Sequence, residues 1–278
     1  MHAEYIPISE YETIAAQFDP AGFNAREWVG RAEEAGMRYL VLTAKHHDGF
    51  AMYRSKVDRF NVVEATPFGR DVVAELAEAC RESPVKLGVY YSHCVDWHEP
   101  HGGNLPGDLK DDGIVWGNDW DFPKGTPEGF DLYLRNKVEP QLTELLTNYG
   151  PLALIWFDTP TKSLRLDQAT RIKALVKRLQ PECLVSAALG HGLGDFDVLG
   201  DNALPQSLCE RATEVETTLN DTWGYKTHDH NWKSVGRIRS MLQDVNSKNC
   251  NLLLNIGPKS DGTFPAPAID CLLSLANF

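Results

Sequence analysis

Short apolar runs alternate along this chain with amphipathic stretches, and this alternation constrains the fold more than any other feature of the sequence. Each run is apolar without interruption, which is typical of strands that are covered on both faces. In the stretches between the runs, apolar residues recur at the spacing of one helix face. Strands that alternate with helices indicate an α/β fold with a parallel sheet.

The same patterns set the boundaries of the predicted elements. The predicted strands are Arg38–Thr43, Lys86–Ser92, Pro151–Asp158, Leu184–Ala188 and Asn251–Asn255, with a less apolar sixth at Glu214–Leu219. The predicted helices are Asn24–Ala35, Arg70–Cys80, Gly129–Tyr149, Asp167–Leu179, Lys233–Val245 and Pro267–Leu275. A length of 278 residues accommodates either one α/β barrel or two smaller domains.

The charge balance excludes several functional classes. Lys and Arg number 27 against 39 Asp and Glu, which gives a formal net charge of −12. We therefore expect no binding to nucleic acid or to anionic membranes. No apolar run reaches the length of about 18 residues that spans a bilayer.

Cysteine usage and the first residues suggest a compartment. The six cysteines stand singly and form no CxxC motif, which favours free thiols in a reducing compartment over disulfides or a zinc site. The segment MHAEYIPISEYETI lacks the basic and apolar regions of a signal peptide. From these two features we expect a cytoplasmic protein.

Polar side chains stand where three of the predicted strands end. His46 and His47 follow the first strand, Tyr90 and Tyr91 close the second, and Asp158 closes the third. Because the carboxyl ends of parallel barrel strands meet at one mouth, these residues are candidates for one active site. The histidines suit hydrogen bonds to sugar hydroxyls, with a purely structural role as the alternative. For Asp158, the alternative is a turn or a helix cap.

Aromatic and acidic residues elsewhere add weaker candidates. The long loop His93–Thr126 carries three tryptophans, among them Trp97, and predicts a sugar or aromatic binding surface. Trp223 stands next to a glycine, which suits stacking on a sugar, with burial under the last helix as the alternative. Glu214 and Glu216 point to one face of a strand. Paired carboxylates serve glycosidic chemistry, but such a pair can also be merely solvated.

Five segments together resemble the retaining α-L-fucosidases of glycoside hydrolase family 29. They occur in the order of that family, from about residue 10 to the end of the chain. The segments are GMRYLVLTAKHHDGFAMYRSKVDRFNVV, LGVYYS, LIWFD, TLNDTWGY and SKNCNLLLNIGPKSDGTFP. The combination of HHDGF with LLLNIGP is the specific part of this resemblance.

The resemblance implies a (β/α)8-like TIM barrel that forms a single catalytic domain over residues 1–278, with no C-terminal β-sandwich. It implies hydrolysis of terminal α-L-fucosyl linkages with retention, without a metal or organic cofactor. Asp158 is then the nucleophile, which attacks C1 to form a covalent fucosyl-enzyme. One of Tyr90 and Tyr91 then approaches the sugar ring or the nucleophile. We choose Tyr91 for this role, although strand phase does not decide between them. The substrate-binding candidates are His46, His47, Tyr91, Trp97 and Trp223.

One departure from the family concerns the general acid/base. One branch of the family carries this Glu in a Gly-Asp-Asn-Glu-hydrophobic-Pro stretch, and Ala203 stands at that position here. Three explanations compete, which are an engineered exchange, a natural loss and the use of another carboxylate. The substitute candidates are Glu214 and then Glu216.

A second departure concerns the front of the barrel, because the family's opening strand has no counterpart in this sequence. An open barrel would leave unpaired strand edges. We expect either a homo-oligomer or a rearranged Met1–Tyr11 segment to cover them. Two other functions compete with hydrolysis by the family mechanism. They are an inactive fucose-binding protein and a metal-dependent hydrolase that uses His46 and His47.

Overall fold

The computed structural model describes residues 1–110 and 113–276, which form two compact units. The first unit comprises Met1–Phe18, Val41–Glu78 and Leu87–Gly194, and the second comprises Asp19–Leu40, Ala79–Lys86 and Asp195–Phe278. Asp111 and Asp112 of the predicted tryptophan-bearing loop lie outside the described residues, as do Asn277 and Phe278. The assignment of 1–278 to one domain stays a prediction. Among the described helices, none combines the length and apolar character of a membrane span.

The described residues form seven strands and eight α-helices. The strands are β1 (Tyr39–Lys45), β2 (Lys86–Ser92), β3 (Leu154–Asp158), β4 (Leu184–Val185), β5 (Asp197–Val198), β6 (Thr213–Thr218) and β7 (Cys250–Asn255). The helices are α1 (Ile8–Ala15), α2 (Ala25–Glu34), α3 (Val72–Arg81), α4 (Pro127–Tyr133), α5 (Glu139–Asn148), α6 (Leu166–Leu179), α7 (Val235–Ser247) and α8 (Ala266–Leu275).

The strands form two sheets. The first has the order β1-β2-β3-β4, in which β2, β3 and β4 pair in parallel. The second consists of β5, β6 and β7, all parallel. These pairings confirm the predicted α/β fold with parallel sheets. The strands of the described residues do not close into the predicted eight-stranded barrel.

Two predicted elements end or break where side chains interrupt the backbone pattern. The fourth strand stops at Val185 because the Ser186 hydroxyl bonds to the backbone of Phe157, and a 3-10 turn follows. The long predicted helix after Gly129 contains a π-helical turn between α4 and α5, where the Glu139 amide bonds to the Leu134 carbonyl. Pro140 has no amide hydrogen to continue the α-helical pattern, which accounts for the break.

The segment that precedes β1 is helical within the described residues. A 3-10 turn at His2–Glu4 leads into α1, and α2 begins after an Asn24 cap whose side chain accepts from the Glu27 amide. The apolar residues of Ile8–Ala15 recur at helical spacing, so the sequence contained a signal for α1 that the prediction missed. The Met1–Tyr11 segment is thus a 3-10 turn followed by the start of α1 and forms no strand. That this segment or a second copy of the chain covers an open strand edge stays a prediction.

A buried cluster of charges lies in the first unit. Lys45 Nζ donates to Asp96 Oδ2 at 2.7 Å, and neither side chain is accessible to solvent. Lys137 Nζ lies 3.2 Å from the same Asp96 oxygen, 2.6 Å from Asp58 Oδ2 and 3.0 Å from Glu99 Oε1. Lys137 thus contacts three carboxylates, and Asp96 is the one that also contacts Lys45.

The charges of this cluster depend on one another. Burial by itself raises the pKa of Asp96, but the charges of Lys137 and Lys45 outweigh burial and hold that pKa at about 2. Because the folded-state pKa lies below the ordinary value of 3.8, the Asp96 carboxylate stabilises the fold above that pH. Its contribution is lost as the pH falls to about 2.

Asp96 also fixes two loops by close packing. A Cβ atom on Gly49 would lie 2.4 Å from Asp96 Oδ1, and Gly49 has φ +80°, where glycine is favoured. A Cβ on Gly102 would lie 2.5 Å from the Asp96 carbonyl oxygen. Both positions therefore require glycine for the loops to approach Asp96.

We predict that Asp96→Asn lowers the free energy of unfolding by about 3–5 kcal/mol, because it leaves the Lys45 ammonium buried without its carboxylate. Urea unfolding at neutral pH measures the change. Glu82→Gln, which removes a solvent-exposed ion pair with Arg26, is the control and should cost less than about 1 kcal/mol. A change of similar size in both variants would contradict this role of the cluster.

Candidate active site

The register between β2 and β3 brings polar side chains to one face of the first sheet. Ser92 pairs with Asp158 and Tyr90 pairs with Trp156. Because side chains alternate along a strand, these four residues share a face. The Tyr90 and Trp156 rings stack with centroids 5.7 Å apart on that face.

Asp158 presents its carboxylate at the carboxyl end of β3, with 28% of the side chain exposed. Its Oδ2 accepts a hydrogen bond from the Tyr90 hydroxyl, and its Oδ1 accepts one from Thr159 Oγ1 at 3.0 Å. Thr159 has φ 49°, an unusual value for a β-branched residue, so the chain turns sharply here. The following helix α6 has Arg165 as its N-cap, so Asp158 does not cap it.

Tyr90, and not Tyr91, contacts the carboxylate, which corrects the choice of Tyr91 made from the sequence. Tyr91 is fully buried, and its hydroxyl donates to Gln141 Oε1 at 2.7 Å. The physical reason is strand alternation, which sends adjacent residues to opposite faces. The sequence shows two adjacent tyrosines but not the register that decides which one lies beside Asp158.

The hydrogen bonds around His47 determine which nitrogen carries its proton. His47 Nδ1 lies 2.6 Å from Ser92 Oγ, and Ser92 Oγ lies 2.7 Å from the Val95 carbonyl oxygen. A carbonyl can only accept, so the serine hydroxyl donates to it and must accept from His47 Nδ1–H. The other ring nitrogen, Nε2, is then an unprotonated acceptor, 3.5 Å from Asp158 Oδ2.

Both site histidines are held neutral. Burial, and then the neighbouring His46 and Lys45, lower the pKa of His47 well below its ordinary value. Desolvation also lowers the pKa of His46, although part of its ring is open to solvent. The His46 ring stacks on Tyr90 with centroids 5.5 Å apart. Two neutral rings therefore flank the carboxylate, and they are suited to hydrogen bonds with hydroxyl groups.

Trp97 lies beside these histidines, as the sequence suggested. Its ring centroid is 5.5 Å from that of His47 and 6.5 Å from that of His46. Its amide donates to the His47 carbonyl at 2.6 Å, and its indole Nε1 donates to the Trp116 carbonyl at 2.8 Å. Trp120 instead donates to the Ile6 carbonyl and so packs against the N-terminal segment. Of the predicted aromatic surface, Trp97 therefore lies at the candidate site, whereas Trp120 packs against the N-terminal segment.

His46, His47 and Asp158 also form the one group of three potential metal ligands found among the described residues. One ligand atom from each lies within 4.8 Å of the others. Three such ligands are enough for a catalytic zinc ion. The metal-dependent alternative thus has a geometric basis, and it is tested below.

Glu214 and Glu216 lie on β6 in the second unit, and both are buried. Glu214 stands near the amino end of β6, where its carboxylate accepts from the Tyr39 hydroxyl and from Asn251 Nδ2. These bonds give Glu214 a structural role at the end of the sheet opposite to that which usually carries catalytic groups. The acid/base assignment of Glu214 stays a prediction.

The stretch around Ala203 lies at the carboxyl end of β6. Asn202 Oδ1 accepts from the Thr217 hydroxyl at 2.9 Å and from the Thr218 amide at 3.0 Å. Ala203 is half-buried, and the preceding Asp201 is exposed. Asp201 is a carboxylate of the same stretch that was not among the site residues predicted from the sequence.

Trp223 is exposed, with 38% of its surface accessible, rather than buried under the last helix. Its carbonyl accepts from Asn255 Nδ2 at 2.7 Å. Asp229 accepts from the Asp221 amide at 3.0 Å and from the Thr222 hydroxyl at 2.8 Å, which fixes the turn before Trp223. The exposed ring is therefore held on a defined backbone in the second unit.

We predict that ¹⁵N NMR of the imidazole groups finds His47 with a protonated Nδ1 and an unprotonated Nε2. Ser92→Ala removes the acceptor of Nδ1–H and should move the proton to Nε2, beside Asp158. Ser83→Ala, a serine that bonds to Glu33 in the second unit, should leave the His47 signals unchanged. A protonated Nε2 in the wild type would contradict the assigned hydrogen bonds.

A family model and two solved structures that match this chain are all described as alpha-L-fucosidases. A family model described as Alpha-L-fucosidase matches residues 1–278. The alpha-L-fucosidase AlfC from Lactobacillus casei, solved with its alpha-L-fucose product, is 44% identical, with a TM-score of 0.89, over 98% of this chain and 84% of that one. An AlfC variant solved with Fuca(1,6)GlcNAc is 42% identical, with a TM-score of 0.87, over the same shares.

Among curated relatives, the tissue alpha-L-fucosidase of Mus musculus is 29% identical over 94% of this chain and 56% of its own length. A putative alpha-L-fucosidase of Caenorhabditis elegans is 28% identical over 99% of this chain and 55% of its own length. This chain thus spans just over half the length of these relatives. Because the family model covers every residue from 1 to 278, the chain belongs to the alpha-L-fucosidase family.

Proposed function

We propose that this chain is an exo-acting, retaining α-L-fucosidase that hydrolyses terminal α-L-fucosyl linkages in fucosylated oligosaccharides or glycoconjugates. The observation that carries the proposal is the Asp158 carboxylate, with a tyrosine hydroxyl and a neutral imidazole against it. The family membership of the chain supports it. The AlfC complex with Fuca(1,6)GlcNAc makes an α-1,6-linked fucoside the first substrate to test.

In the proposed mechanism, Asp158 attacks C1 of the fucosyl group while the bond from C1 to the aglycone oxygen breaks and the general acid/base protonates that oxygen. Water then hydrolyses the covalent ester, and the same general acid/base accepts the proton of this water. The Tyr90 hydroxyl donates a hydrogen bond to the attacking carboxylate and keeps it oriented. His47 Nε2 accepts a hydrogen bond from a fucose hydroxyl, because its Nδ1 proton is committed to Ser92. Trp97 packs beside the histidines as part of the sugar-binding wall, and Trp223 is proposed to cover the sugar near its methyl group.

For the general acid/base we propose Asp201. It is an exposed carboxylate that follows β5, and its neighbour Asn202 is bonded to the last two residues of β6. This is the end of a parallel strand that usually carries catalytic groups. Glu214 is bonded near the other end of the same strand. Ala203 offers no titratable group, so the loss of acid/base function at that position remains the competing proposal.

Membership of the alpha-L-fucosidase family also suggests an architecture for the chain. We infer that the two parallel sheets belong to a (β/α)8-like barrel, the fold that the resemblance to the α-L-fucosidases implies. A homo-oligomer that covers an open strand edge is tested by sedimentation, and a fully active monomer would reject it. A cytoplasmic location is proposed because the six cysteines stand singly in the sequence and form no CxxC motif.

We predict that Asp158→Ala lowers kcat/KM for 4-nitrophenyl α-L-fucopyranoside by about 10³-fold or more, which corresponds to about 4 kcal/mol of barrier. Asp167→Ala, an exposed carboxylate at the start of α6, is the control and should keep the wild-type rate. Activity of Asp158→Ala within tenfold of the wild type would overturn the assignment. Activity that disappears on treatment with a strong chelator, and returns with zinc, would favour the metal-dependent alternative.

Tyr90→Phe and Tyr91→Phe form a matched pair that tests the corrected tyrosine. Tyr90→Phe should lower kcat/KM by about 10-fold or more, because a hydrogen bond to a charged group is worth about 1.5–3 kcal/mol. Tyr91→Phe should lower stability through the lost bond to Gln141 and leave the kinetics of the folded enzyme within about threefold. The reverse pattern would restore Tyr91 as the active-site tyrosine.

Azide rescue tests the acid/base group. Asp201→Asn should retain far more activity on the aryl fucoside than on Fuca(1,6)GlcNAc, because a good leaving group needs no proton. Azide should accelerate this variant and yield fucosyl azide. Glu214→Gln and Glu216→Gln should show no azide effect. A gain on the natural fucoside in Ala203→Glu, together with a silent Asp201→Asn, would assign the function to position 203 instead.

A further inference from the structure

Two cysteines that are far apart in the sequence meet in the second unit. Cys209 Sγ and Cys250 Sγ lie 3.0 Å apart, and both cysteines are reduced. This separation is about 1 Å longer than the disulfide bond length of about 2.05 Å. No spacing rule for metal sites or redox motifs joins these two positions, so their sequence pattern predicts only single thiols.

The backbone holds the two cysteines side by side. The Cys209 amide donates to the Lys248 carbonyl at 2.9 Å, and Asn249 Nδ2 donates to the Cys209 carbonyl at 3.3 Å. Cys250 follows directly as the first residue of β7. Lys248 Nζ also donates to the Pro205 carbonyl at 2.8 Å, which ties the segment before Cys209 to the same turn. These contacts hold the backbone of Cys209 beside the turn that leads into Cys250.

We propose that Cys209 and Cys250 are a redox-active thiol pair that forms an intramolecular disulfide by exchange with a low-molecular-weight disulfide such as oxidised glutathione. The half-exposed Cys209 thiolate attacks one sulfur of the reagent and releases one glutathione thiolate. The Cys250 thiolate then attacks Cys209 Sγ and releases the second. In total, two protein thiols and one glutathione disulfide give one protein disulfide and two glutathione thiols.

The environments of the two thiols assign their order. Cys250 is buried, and its burial and its contact with Cys209 raise its pKa to about 11. It is therefore a poor first nucleophile but is positioned to resolve a mixed disulfide on Cys209. The other four cysteines are all buried, so we expect them to react more slowly with a solvent-borne disulfide.

The disulfide would join the segment that carries Asp201 and Asn202 to the first residue of β7. Asn255, at the other end of β7, holds the Trp223 carbonyl. The cross-link therefore constrains the segment that contains the proposed acid/base group. The disulfide itself does not depend on the proposed function, because its chemistry involves only the two thiols.

The test treats the native, fully reduced protein with oxidised glutathione, blocks remaining thiols with an alkylating agent, and follows intact mass and peptide maps. In the wild type we expect a transient adduct of one glutathione. It is followed by a product two hydrogens lighter than the reduced protein, with Cys209 linked to Cys250. The oxidised form should also unfold at a higher urea concentration than the reduced form.

Three serine variants complete the experiment. Cys250→Ser should stop at a stable mixed disulfide on Cys209, and Cys209→Ser should react at least tenfold more slowly. Cys271→Ser, a buried cysteine of α8, should behave as the wild type. A wild-type protein that keeps its glutathione adduct, remains unreactive, or links another pair of cysteines would overturn the proposal.

Discussion

The buried ion pair between Lys45 and Asp96 holds together the two loops that form the candidate active site. Lys45 is the last residue of β1 and directly precedes His46, while Asp96 directly precedes Trp97. A bond of 2.7 Å between two side chains without solvent access therefore fixes the histidines relative to the tryptophan. Such a pair is costly to bury, but the loss of either partner would leave an uncompensated buried charge, so both charges are needed where the two loops meet.

The parallel register of β2 and β3 supplies the second constraint. It places Ser92 opposite Asp158, and Ser92 in turn sets the tautomer of His47. The proposed nucleophile Asp158, its tyrosine partner and a neutral acceptor thus result from one strand pairing and one serine hydroxyl. His47 Nε2 is consequently suited to accept a hydrogen bond from a hydroxyl group and not to donate one to the Asp158 carboxylate.

Much of the fold could be predicted from the sequence, because continuous apolar runs identify buried parallel strands. The bounds of β2 were predicted correctly, and Asp158 was recognised because it ends such a run. The choice between Tyr90 and Tyr91 could not be made, since it depends on strand register. The thiol pair of Cys209 and Cys250 was also beyond reach, because it depends on long-range packing. The break in the helix after Gly129 could have been anticipated from Pro140.

The proposed mechanism depends on a covalent bond between Asp158 and the sugar during turnover. A slow 2-deoxy-2-fluoro-fucosyl substrate with a good leaving group should trap this bond, which intact mass and peptide mapping then locate. We expect one fucosyl adduct per chain, on the peptide that contains Asp158. An adduct on another carboxylate would overturn the role of Asp158, as would turnover that releases the inverted anomer without any adduct.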